Sequence, residues 1–254
     1  MDTATSGTSN TKRTIAILIA SAALAVWIPG AATRVEAGEP GQSLRSAIPT
    51  VQAWIDAVHE GRMRAAWRLT ADRSRRAFGG FEGFKGEEAG LREGWGTWAA
   101  GTDVTYERRT VTSSDQEAAS VVTLFGTVTQ EGSTRRRAAA MPVYTVSGET
   151  KVEPIGGRAD VLFLNPHRHG QILSSTPTFE AQVKPGGHAT VDFFVLGHRG
   201  IRTEATMRQL EGRHYEGTLH LTEPLSPGRH VVTLSVFGGD AGFHAVPVIF
   251  KVRS

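Results

Sequence analysis

The feature that most constrains this chain is a change of hydrophobic period at Gly101. Before it, Val51, Trp54, Ile55 and Val58 recur at i, i+3, i+4 and i+7, with Pro49 suited to a first helical turn and Gly61 able to end the helix. Met63, Ala66 and Trp67 form the stripe of a second short helix over 62–70, whose wet side carries Arg62, Arg64 and Arg68. The two should make a hairpin. A weaker helical stretch over 84–93 is interrupted by Gly86 and Gly90. After Gly101 the alternation is that of strands: Val104, Tyr106 and Val111, then 119–128, then 138–146, then Val152 and Ile155. Turn signals at Ser113-Ser114-Asp115, Glu131-Gly132-Ser133 and Ser147-Gly148-Glu149 make them an antiparallel meander. Helices first and then a sheet for them to cover is an α+β arrangement.

From Pro154 onward helical periodicity is absent. Short apolar runs at 161–164, 178–183, 190–196, 203–207, 215–221, 230–237 and 245–252 alternate with turn residues, a pattern suited to an all-β sandwich. A length of 254 residues accommodates two modest domains, expected at 42–155 and 156–254 behind an N-terminal segment, 1–41.

The run Val51-Gln52-Ala53-Trp54-Ile55-Asp56-Ala57-Val58-His59-Glu60-Gly61-Arg62-Met63-Arg64-Ala65-Ala66-Trp67, followed by long hairpins, resembles the opening of the nuclear-transport-factor-2-like, or cystatin-like, cone fold. That likeness covers about 110 residues. It implies helices lying on a curved antiparallel sheet, as in the non-catalytic spacer of methicillin-resistance-type penicillin-binding proteins. No Lys-Thr-Gly occurs here, and the only Ser-x-x-Lys, Ser9 to Lys12, lies in the leader, so no transpeptidase accompanies such a spacer. The second half is similar to bacterial immunoglobulin-like domains of exported proteins, through 172–181, the Tyr215-Glu216-Gly217-Thr218-Leu219 strand, and 225–234 leading into Gly239-Asp240-Ala241-Gly242. Modules of this kind space, dock or bind surfaces.

At the N-terminus, Lys12-Arg13 precedes the uncharged stretch Thr14 to Ile28, ended by Pro29-Gly30. Fifteen helical residues rise about 22 Å, short of a hydrocarbon core of roughly 30 Å, which favours a signal peptide over a stable span. Val35-Glu36-Ala37 suits cleavage after Ala37. The chain is therefore expected outside the cytoplasmic membrane, secreted or anchored to its outer face, with membrane contact only through residues 14–32 if they remain. The chain has no cysteine, which excludes disulfides, thiolate metal sites, lipoprotein anchoring and cysteine nucleophiles. Residues 42–153 carry 15 basic and 14 acidic side chains and 154–254 carry 10 and 8, so neither half is a polycation and nucleic acid is not an expected partner. Arg135-Arg136-Arg137 is the one basic run noted, expected on a solvated hairpin.

Ionisable residues suggest two sites besides. Asp56 and His59, at i and i+3, could serve as a general base pair in a cone pocket lined by Trp95 and Trp98, whose glycine-rich setting, Gly94-Trp95-Gly96-Thr97-Trp98, is an expected loop. That pocket would make an isomerase or dehydratase-like enzyme or a small-molecule carrier. His167 and His169 could hold copper or zinc, since eight of nine histidines lie in the second half. Gly-x-Ser-x-Gly, His-Glu-x-x-His and a phosphate-cradling Gly-Lys-Ser/Thr loop are absent from the sequence. The expectation is thus a non-enzymatic binding or scaffolding protein of the bacterial cell envelope, needing no cofactor, whose partner is an envelope protein or a cell-wall component.

Overall fold

A computed structural model describes residues 32–35, 46–111, 117–130, 132–146, 148–155, 160–184, 190–196, 206–210, 214–221, 223–237 and 243–253. The chain is mixed α and β, and its sheets are mostly antiparallel. The described helices are α1 (Ile48–His59), α2 (Met63–Leu69), α3 (Asp72–Ala77), α4 (Phe81–Gly86), α5 (Glu88–Leu91), a π-helical turn (Arg92–Gly96) and α6 (Trp98–Gly101). They cover one face of a sheet in which β1 (Ala32–Val35), β2 (Thr102–Val111), β3 (Glu117–Gln130), β4 (Ser133–Val146) and β5 (Glu149–Val152) lie side by side in chain order. β1 runs parallel to β2, and every other neighbour is antiparallel.

The alternation of β3 and β4 decides what each face touches. Val122, Leu124, Val128, Met141 and Val143 point to the helices and close a core with Trp54, Ile55, Phe84, Leu91 and Trp98. The indole N–H of Trp54 donates to Thr70 Oγ1 at 3.0 Å, and Thr70 Oγ1 donates in turn to the Ala66 carbonyl at 2.9 Å, so the polar edge of a fully buried ring is satisfied. No side chain of the preceding residue caps α1. Buried Glu107, on β2, takes that part: it accepts from Ser46 Oγ at 2.6 Å and the Ala47 N–H at 3.1 Å, placing a carboxylate where the helix dipole favours one. Gly126 is obligatory for a different reason. A Cβ there would lie 1.9 Å from the Gly101 carbonyl, where β2 bulges between Thr102 and Val104.

Two four-stranded sheets follow. One runs β10 (Thr206–Leu210), β11 (His214–His220), β8 (Thr178–Lys184), β6 (Asp160–Asn165); the other runs β7 (Gln171–Leu173), β13 (Phe243–Val252), β12 (Gly228–Phe237), β9 (Thr190–Val195). They share a core of Phe163, Phe179 and Leu219 from the first sheet with Phe193, Leu234 and Phe250 from the second. The second sheet is covered on both faces. Phe194, Leu196 and Ala245 point away from that core onto Ala119, Val121, Ala140 and Tyr144 of the five-stranded sheet. Thr123 and Thr233 hydroxyls meet across this junction at 3.2 Å, both buried. Layers therefore run helix, sheet, sheet, sheet.

The period change at Gly101 marks the end of α6 and the start of β2. Several details differ from the sequence reading. Two short strands were not expected: β1 falls within residues read as leader, and β7 is three residues long. The expected loop Gly94-Trp95-Gly96 belongs to the π-helical turn, packed so closely on α1 that a Cβ at Gly96 would come 3.1 Å from His59 Cα. The arginine run is not uniformly solvated. Strand alternation leaves Arg135 exposed, half-buries Arg137 against Gln130, and drives Arg136 into the junction. Residues 1–31 and 36–45, with the expected signal sequence and the Ala37 cleavage point, lie outside the described residues.

Candidate functional site

The helical corner carrying the expected base pair is built by α1 and the π-helical turn. Asp56 is half-buried and accepts from Gln52 Nε2 at 2.9 Å, one helical turn back on the same face. His59 is exposed at the end of α1. The two are not brought together over an interior. Trp95 is half-buried and meets Trp54 edge to face, centroids 6.1 Å apart. Trp98 is only 1% exposed and belongs to the core rather than to an opening.

His167 is exposed, and its backbone N–H donates to Gln171 Oε1 at 2.9 Å. His169 Nδ1 accepts the Ile249 N–H at 3.1 Å, which fixes the neutral tautomer with its proton on Nε2. Burial holds this imidazole below its ordinary value. His169 thus ties the β6–β7 connection to β13. Among the described residues no group of three or more His, Asp or Glu side chains is placed to hold a metal ion.

The ionisable groups that converge do so at the rim of the sheet–sheet junction. Glu153, completely buried just after β5, has Arg73 Nε of α3 at 3.6 Å and Tyr144 of β4 as its hydrogen-bonding neighbour. Neither carboxylate oxygen has a well-formed hydrogen bond among the described residues, so desolvation dominates and pushes Glu153 up to about 7 against the opposing pull of Arg73 and Tyr144. Burial, and after it the Glu153 charge, raises Tyr144 above its ordinary value. The same stretch of backbone is pinned by Ala71 N–H to the Val152 carbonyl at 2.7 Å and by Ser74 Oγ to the Ile155 carbonyl at 3.1 Å. At another point of the junction, Arg136 pairs with Asp103 and lies over the Phe125 ring at 5.2 Å. Burial, with Arg229 nearby, disfavours its ionised form.

Periodicity did not single out Glu153 or Arg136. A signal was present, however: a charged residue at an inward position of a strand, as Arg136 is between Thr134 and Ala138, marks a strand whose second face is also covered. Among the described residues no helix is long and apolar enough to cross a membrane. No protein-family model matches the chain, and no curated protein matches it.

Proposed function

We propose that the chain is a non-catalytic binding or scaffolding protein of the bacterial cell envelope, exported by residues 14–28, in which a cone-like module and an immunoglobulin-like module act as one rod. The observation that carries this reading is the junction. A sheet buried on both faces, with matched hydroxyls at its centre and a buried arginine and carboxylate at its rim, holds two modules in one fixed orientation, as a spacer or presenting surface requires. The exposed position of His59 and the core position of Trp98 favour this reading over a pocket enzyme.

The test has two arms. A reporter that is active only outside the cytoplasm, fused after Ser254, is expected to be active, and to lose activity when Leu18→Arg and Leu24→Arg interrupt the apolar stretch. Recovery of the full chain from cytosol overturns the export reading. For the scaffold reading, a deletion strain with an envelope defect should be rescued by His59→Ala and Asp56→Asn chains but not by Ala140→Glu, which puts a charge into the junction. Rescue by Ala140→Glu with loss in the Asp56 and His59 variants would transfer the assignment to the pocket. Copper or zinc uptake abolished by His167→Ala and His169→Ala would transfer it to metal handling.

A further inference from the structure

Residues 62–76 hold six arginines and one aspartate, the densest basic stretch of the chain. Three of the arginines are occupied: Arg62 pairs with Glu60, Arg73 with Glu153, and Arg75 with Asp72 at 3.2 Å. Arg75 also donates to the Trp67 and Arg68 carbonyls, capping the C-terminus of α2. Arg64, Arg68 and Arg76 remain exposed and have no acidic partner among the described residues. Arg64 and Arg68, one turn apart on α2, flank half-buried Trp67 in sequence, and Arg76 on α3 lies two residues before half-buried Phe78, which meets Phe84 at 5.0 Å. Trp67 and Phe81 lie 5.9 Å apart, Phe84 beneath them joins Trp67 at 5.3 Å, and Arg64 lies over Phe81 at 4.9 Å. Exposed Lys85 adds a cation on α4, and exposed Glu82 is the opposing charge there.

We propose that this outer surface of α2, α3 and α4 docks on an anionic lipid bilayer, with Arg64, Arg68 and Arg76 engaging headgroup phosphates. Arginines at a half-buried aromatic cluster match the headgroup level of a membrane, where guanidinium forks meet phosphate and ring edges meet the acyl boundary. A nucleic acid fits less well. Its bases need open ring faces to stack on, and here Arg64 covers Phe81 while Arg75 covers Trp67 at 5.2 Å.

Because the chain lacks cysteine, a single Glu82→Cys substitution takes one fluorophore at the centre of the patch. The full chain is reconstituted with vesicles of phosphatidylcholine alone or mixed with phosphatidylglycerol, each carrying acyl-chain quenchers. Quenching is expected only with phosphatidylglycerol. The docking equilibrium should fall roughly fivefold for each reversal among R64E, R68E and R76E, and collapse in high salt. The neutral series R64Q, R68Q and R76Q should fall by less, and a label at Glu223→Cys on the sandwich should stay unquenched. Equal quenching in both lipids, or quenching unchanged in the triple reversal, overturns the proposal. So does protection of the label by a soluble oligonucleotide in preference to lipid. A failed export reading would leave the lipid contrast intact, whereas failed docking would abolish the contrast and leave export untouched.

Discussion

The two faces of the five-stranded sheet are both buried, yet they are built from different materials. Toward the helices lie Leu124, Met141 and Val143 against Trp54, Phe84 and Trp98; toward the sandwich lie Ala119, Thr123 and Ala140 against Ala245, Thr233 and Phe194. Helices present curved, separated ridges, and large side chains must fill the space between them and a sheet. Two sheets can approach on small residues, and a small-residue face removes less apolar area from water. At about 25 cal/mol per Å², the helix side then contributes most to stability and the junction contributes orientation. Buried polar groups lie on both sides, Glu107 and Thr70 toward the helices and Arg136, Glu153 and the threonine pair toward the junction.

The largest effect should come from the helix side. Trp54→Ala removes a ring with no exposure and leaves the Thr70 hydroxyl oxygen without the N–H it accepts, so a loss of about 3 to 5 kcal/mol is expected in denaturant unfolding. Trp54→Phe should lose about half as much, because an aromatic ring still fills most of the buried space. Phe194→Ala, a large apolar truncation at the junction, should cost less than Trp54→Ala and shift amide exchange selectively in β3, β9 and β12. Uniform exchange changes across both modules after Phe194→Ala would show that the two faces are equivalent and break the comparison.

What the sequence made legible tracks this difference. Large residues at helical spacing exposed the helix-covered face directly, and Val51, Trp54, Ile55 and Val58 are all buried as their period demands. Alternation likewise revealed the long hairpin of β3 and β4. The junction was harder to see because many of its residues, such as Ala119, Thr123, Ala140 and Thr233, look the same at strand positions whether they meet solvent or another sheet. Strand β12 carries the trace that could have been followed. Val231 and Val232 adjoin, and Val231 through Val236 are all buried, which is the pattern of a strand covered on both sides rather than one. Of the ionisable residues singled out by spacing, Asp56, His59 and His167 lie near or at the surface. Proximity in sequence could not reveal the pair that does converge, Glu153 with Arg73, since they are brought together from the segment after β5 and from α3.

A middle-sized effect belongs to Glu153. Its carboxyl is held up to about 7 in the fold against 4.5 in the open chain, so the folded state binds the extra proton. Below pH 4.5 both states are protonated and burial carries no ionisation penalty. Between pH 4.5 and 7 the unfolded chain ionises while the fold does not, and stability should fall by about 2 to 3 kcal/mol before levelling above pH 7. Glu153→Gln should flatten that part of the pH–stability profile and leave the chain more stable than the parent at pH 8. An unchanged profile would mean that Arg73 fully compensates the buried charge. It would also make this rim of the junction a simple ion pair.

The smallest effect tests the centre of the junction. Thr123→Val or Thr233→Val alone removes one hydroxyl and leaves the other, buried, facing an apolar side chain in place of its partner, so each should lose about 1 to 2 kcal/mol. The double substitution removes both polar groups with little change of shape. It should recover most of that loss, giving a coupling of about 1 kcal/mol of favourable sign in a double-mutant cycle. Additive losses would indicate that the hydroxyls are solvated and that the two sheets separate in solution. The reciprocal control lies on the helix side, where Thr70 bonds both Trp54 and the Ala66 carbonyl within one module. Thr70→Val should therefore lower stability without altering the coupling between the sheets, since nothing it touches crosses the junction.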